Sequence, residues 1–179
     1  ANTYANTLRN LSTVVCFAVA NAAAIIMGKT MGENRLEDAN VYAKRLTIMS
    51  IITGLTAGVI VLISMPFLLS FAKITPLAKD YLKWMLVVSV PNVAGQSLNT
   101  MLICGIYRAG GDTKFGMIVD LFVMWAYAVA LGYIAAFVLK LPVIAVYAIM
   151  FLDEIVKMPF VVKHFAARKW LKNITHEMN

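Results

Sequence analysis

Asp153, Glu154 and Lys157 interrupt an apolar run from Pro142 to Val162, and Asp120 interrupts another from Phe115 to Leu139. Ionised groups at that depth in apolar sequence are costly, so they turn inward, pair with one another, or bind and release protons or cations. Asp153 and Lys157 are spaced to pair along one helix. The adjacent carboxylates of Asp153 and Glu154 point about 100° apart and therefore have different partners. If the two runs are antiparallel helices, Asp120 and Lys157 both lie roughly 8–9 Å from the same end at about 1.5 Å per residue. That spacing suits an interhelical ion pair, whose plainest role is a structural lock. Glu154 is then the carboxylate left over, free to titrate. It is the leading proton carrier, with Asp153 and Asp120 as further coupling candidates and Lys157 as their ion-pair partner.

Amides supply a second set of polar groups. Ser89, Asn92, Gln96 and Asn99 recur at steps of three and four, on one face of a helix. An unpaired amide in hydrocarbon costs several kcal/mol, so this face meets other helices or a wet cavity. Pro91 is expected to kink the same helix. A similar stripe (Asn2, Asn6, Arg9 or Asn10, Thr13 and Asn21) gives the first helix one wet face, unless its start lies in the interface. The substrate-cavity candidates are Asn92, Gln96, Asn99, Asn10 and Asn21, with interhelical bonding as the competing role. Gly54 and Gly58 form a GxxxG that close helix packing explains. Met124, Trp125, Tyr127 and Tyr133 face lipid or core, although aromatic faces and Met also suit apolar cations.

The elements that carry these groups are membrane spans. The chain of 179 residues is 61% hydrophobic and 14% charged, far below the charge of about 25% in soluble domains. Five apolar runs are long enough to cross a bilayer, about 6–27, 46–71, 81–106, 115–139 and 142–162, followed by a basic, aromatic tail over 163–179. The expected class is therefore an all-α integral membrane protein. Between the first two spans, Gly32 reads as a helix stop and Asn34 as the cap of a short interfacial helix carrying Leu36 and Val41. Thr75-Pro76 and Lys140-Leu141-Pro142 read as turns. The loop Arg108-Ala109-Gly110-Gly111-Asp112-Thr113-Lys114 is a tight reversal. In it Gly110 and Gly111 take left-handed conformations and Asp112 caps the next helix.

Lys29, Arg35, Lys44, Arg45, Arg108, Lys114, Lys163, Arg168, Lys169 and Lys172 fall on one side, against Arg9, Lys73, Lys79, Lys83 and Lys140 on the other. The excess places the first set, and the C-terminus, in the cytoplasm. Basic residues at span ends also explain the net charge of +7 without nucleic acid. Cys16 and Cys104 both lie in apolar runs, and no Cys/His spacing suggests a disulfide or a metal site. There is no Ser/His/Asp grouping or phosphate loop, so no enzyme and no cofactor is expected. The chain opens on polar sequence without an initiator Met, and is expected to begin within a longer protein.

With these features aligned, the sequence resembles the multidrug and toxic compound extrusion (MATE) family of antiporters. The resemblance rests on Asn21-Ala22-Ala23-Ala24-Ile25-Ile26-Met27-Gly28-Lys29-Thr30-Met31-Gly32-Glu33, on Arg108 through Lys114, and on Leu152-Asp153-Glu154-Ile155-Val156-Lys157. It implies a twelve-helix transporter of two six-helix lobes, of which this chain would be a partial C-terminal lobe. It also implies alternating access, export of small organic and cationic substrates, coupling to H+ or Na+, and a multi-pass place in the cell membrane. Some members carry coupling carboxylates on the first and fourth helices of this lobe. The first of these is absent here, and the fourth, the run with Asn92 and Asn99, has amides instead. Competing readings are a lipid-linked oligosaccharide flippase of similar architecture and a non-transporting structural membrane subunit.

Overall fold

The structure, a computed structural model, describes residues 2–71 and 76–171; the side chains of residues 2–5, 8–9, 68–71 and 76–78 lie outside that description. Arg9 as a side chain, Lys73, Thr75, Lys172 and the end of the tail, all used in the sequence reading, therefore fall outside it. Helix α1 runs Asn2–Gly32 and α2 runs Leu36–Phe71. The turn between them is shorter than expected. Asn34 adopts a left-handed φ of 57°, and the amide of Arg35 returns to the Thr30 carbonyl at 3.1 Å, satisfying a helix-end acceptor. Glu37 and Asp38 then sit in the first turn of α2, where carboxylates complement the helix dipole.

The expected separate interfacial helix does not exist: Leu36 to Arg45 is the opening of α2. The reason is continuity of the buried stripe. Ala39, Ala43, Leu46, Ser50, Gly54, Gly58 and Val61 are buried and follow one another at helical steps without a break. Helix α3 (Pro76–Thr100) opens on a proline, which costs nothing where no amide bond is needed. Its helical backbone runs on through Pro91 and passes into a π-helical segment, Met101–Tyr107. After the Arg108 loop come α4 (Thr113–Val123), a π segment (Met124–Val129), α5 (Ala130–Tyr133) and a second π segment (Ile134–Val138), together one rod.

The fifth span, expected as one helix over 142–162, is two: α6 (Val143–Phe151) and α7 (Asp153–Ala166). They meet at Leu152, whose ψ is −2°. Asp153 and Glu154 thereby occupy the first turn of α7, where the dipole favours them. Side chains of α3 take up carbonyls at the break: Asn92 Nδ2 donates to the Phe151 carbonyl and Asn99 Nδ2 to that of Glu154 at 2.7 Å. Irregular backbone at membrane depth is tolerated where protein groups satisfy it in this way.

Among the described residues four helices are long and apolar enough to cross a membrane: Asn10–Gly32, Leu36–Phe67, Lys79–Tyr107 and Thr113–Val138. The third is 67% buried against 22–33% for the others, which makes α3 the central helix. Helix α2 lies close against it. A Cβ on Gly54 would stand 2.8 Å from the Ser97 Cβ and 3.1 Å from the Ala94 Cα, so the GxxxG glycines do serve packing. Large apolar side chains face outward, Ile25, Ile63, Phe122 and Phe137 among them, as a lipid solvent requires.

Candidate functional site

The break at Leu152 aims the first turn of α7 at α3 and α4. Lys157 Nζ lies 3.1 Å from Asp120 Oδ1 on α4, 3.1 Å from Glu154 Oε1, and 3.8 Å from Asp153 Oδ2. The other oxygen of Glu154, Oε2, accepts from Asn99 Nδ2 at 2.8 Å. Gly95 lets α7 come this near, since a Cβ there would sit 3.3 Å from the Glu154 Cβ.

Glu154 is therefore not left over. Pairing by elimination assumed one carboxylate per lysine, but an ammonium carries three donors and here serves two acceptors closely. Asp153 is the loosest of the three carboxylates. The cluster grades from dry to wet: the side chains of Lys157 and Glu154 are 10% and 12% exposed, that of Asp120 47%.

The cluster borders a cavity of about 120 Å³, where Gln96, Asn99, Asp120, Glu154 and Lys157 meet with Cys104. Phe17 of α1 closes one side, and Thr13 of α1 donates to Gln96 Oε1 at 3.2 Å. Asn92 is buried a turn away, holding the Phe151 carbonyl, and Ser89 lies 3.3 Å from the Tyr147 hydroxyl. Those two perform the interhelical bonding that competed with a cavity role. Asn10 and Asn21 are exposed on α1 and do not line this cavity. Cys104 and Thr100 were not singled out from the sequence, although helical spacing from Gln96 and Asn99 carries the signal. Within the cluster, Asn99 Oδ1 is buried without a hydrogen-bond partner among the described residues.

A second polar centre lies at the Arg108 loop. Gly111 takes the left-handed conformation with φ 79°, and the Asp112 amide returns to the Tyr107 carbonyl at 2.9 Å. Gly110 does not share that conformation. It is small for another reason: a Cβ there would strike the Trp170 carbonyl. Asp112 precedes α4 but makes no side-chain capping bond. Its carboxylate instead meets His164 Nε2 of α7 at 2.6 Å. The His164 ring stacks on Phe115 with centroids 3.6 Å apart, and Tyr107 donates its hydroxyl to the Val161 carbonyl. The expected cap is thus a tether between the loop and the last helix. It was illegible in sequence because the partner lies fifty-two residues away. Arg108 is exposed beside it.

The MatE family model matches residues 1–134, well over half of the chain and including all of α1 to α5. No curated protein and no solved structure matches it.

Proposed function

The chain belongs to the MatE family, whose members are transporters and not enzymes, and on that premise we propose that it forms part of a cation-coupled antiporter exporting small organic, mostly cationic compounds. In this reading the protein works by alternating access in the cell membrane with its C-terminus cytoplasmic, and this chain contributes to one lobe. The observation that carries the coupling role is Glu154, held between the Lys157 ammonium and an Asn99 amide whose own oxygen has no partner.

That setting serves both protonation states of Glu154. As a carboxylate it accepts from Lys157 and from Asn99 Nδ2. As an acid it becomes a donor, and rotation of the Asn99 amide presents Oδ1 to receive it while releasing the Glu154 carbonyl that Nδ2 holds at the helix break. Neutralising Glu154 leaves Lys157 to Asp120 at 3.1 Å and the looser Asp153 at 3.8 Å, so the attraction shifts toward the α4–α7 contact. The Asn99 bond that ties α7 to α3 is remade at the same time. A proton arriving through the cavity thereby changes which neighbour holds α7, and differential contact of that kind is what moves a two-state equilibrium.

The test is ethidium efflux by the whole protein in liposomes, under proton and sodium gradients applied separately, with wild type and Glu154→Gln. Wild type is expected to export under the proton gradient, and Glu154→Gln to lose at least about tenfold of that rate, the equivalent of about 1.4 kcal/mol. Efflux under neither gradient defeats the transport reading. Undiminished proton-driven efflux by Glu154→Gln defeats the assignment to Glu154 alone.

A further inference from the structure

We propose that the groove between the first turns of α4 and the last turns of α7 binds one anionic glycerophospholipid. The groove holds about 240 Å³, with Phe115, Val119 and Phe160 in its throat and Lys163, His164 and Lys169 at its mouth. Phe160 is 58% exposed, so the throat opens outward from the bundle. Phe115 to Val119 and Phe160 to Lys163 lie within about two turns of their helix ends, roughly 10 Å, where headgroups sit.

The charge at the mouth selects among occupants. Among the described residues no carboxylate lines the groove, and the nearby one of Asp112 is turned onto His164. An organic cation is therefore repelled. A zwitterionic lipid leaves the two ammonium groups uncompensated, and a free anion leaves the aromatic throat empty. A phosphodiester carrying net negative charge satisfies both parts: its phosphate between Lys163 and Lys169, its acyl chain against Phe115, Val119 and Phe160. Basic pockets at span ends recognise acidic headgroups on these grounds. The site is separate from the Glu154 cluster and does not depend on transport.

The experiment titrates the whole protein in detergent with a fluorescent phosphatidylglycerol, reading anisotropy, and competes it with unlabelled lipids. Phosphatidylglycerol is expected to outcompete phosphatidylcholine. Lys163→Gln/Lys169→Gln should weaken its binding roughly thirtyfold, since each basic residue facing acidic lipid is worth roughly fivefold. Lys83→Gln, near the opposite end of α3, should leave it unchanged, and an unaltered melting temperature confirms that the double variant is folded. Equal competition by phosphatidylcholine overturns the proposal, as does binding by the double variant within about threefold of wild type. Competition by glycerol phosphate as strong as by the lipid would assign the groove to free anions and also overturn it.

Discussion

A buried ammonium that serves several carboxylates makes a stronger claim on stability than an isolated surface pair. Removing Lys157 leaves Glu154 at 12% exposure with a negative charge and one amide donor. Lys157→Met is expected to destabilise the protein by about 3 kcal/mol, the lower end for breaking a buried pair, because Asp120 is 47% exposed and water takes over part of its solvation. Adding Glu154→Gln removes the orphaned charge and should recover more than half of the loss. SDS titration of the two variants decides: a double variant no more stable than Lys157→Met would mean that the charges are not coupled. At this scale the sequence was legible for the pairing of Lys157 with Asp120, which closes at 3.1 Å, and illegible for the partners of Glu154 and Asp112. Asp120, Glu154 and Lys157 stood out because charge in an apolar run is rare. That Asn99 would hold Glu154, and His164 take Asp112, depended on helix rotation across more than fifty residues.

Helix α3 is the element on which the others converge, and its approach to α2 depends on two glycines. Gly54 faces Ala94 and Ser97 backbone and side chain, and Gly58 faces Val90. The close approach also allows Ser97 to donate to the Ser50 carbonyl at 2.7 Å. Gly54→Val should therefore separate the helices and destabilise by about 1–3 kcal/mol, as overpacking does. Gly28→Ala meets nothing within 4 Å and is the matched control, expected to be neutral or slightly stabilising. Equal thermal stability of the two variants would contradict the close contact. GxxxG spacing made this legible in advance. The break at Leu152 was not, because neither Gly nor Pro marks it. Donation from Asn92 and Asn99 to the Phe151 and Glu154 carbonyls is what makes that position tolerable.

Across the whole molecule, apolar exposure is not uniform in kind. Ile26 is 45% exposed and belongs against acyl chains, whereas Asn21, about 140° away around α1, is also exposed but polar. In the two-lobe transporter Asn21 is proposed to face the central cleft. A cysteine at Asn21 in a cysteine-free protein should react with a water-soluble thiol reagent at least about tenfold faster than one at Ile26. Equal rates at both positions would place both faces of α1 in one environment and remove Asn21 from the cleft.

Membrane residence, the approximate extents of four spans, the Asp120–Lys157 pair and the family were all legible in the sequence alone. These follow from local composition, because the cost of placing each residue in hydrocarbon is paid residue by residue, and short motifs survive in order. The partners of Glu154 and Asp112, the split of the fifth span, and the sorting of the amides into Asn92 at a backbone and Asn99 at a cavity belonged to the folded molecule. Each is a matter of which helix faces meet and at what separation. Hydrogen bonds fall off within a few tenths of an ångström, and no single run of residues encodes that distance.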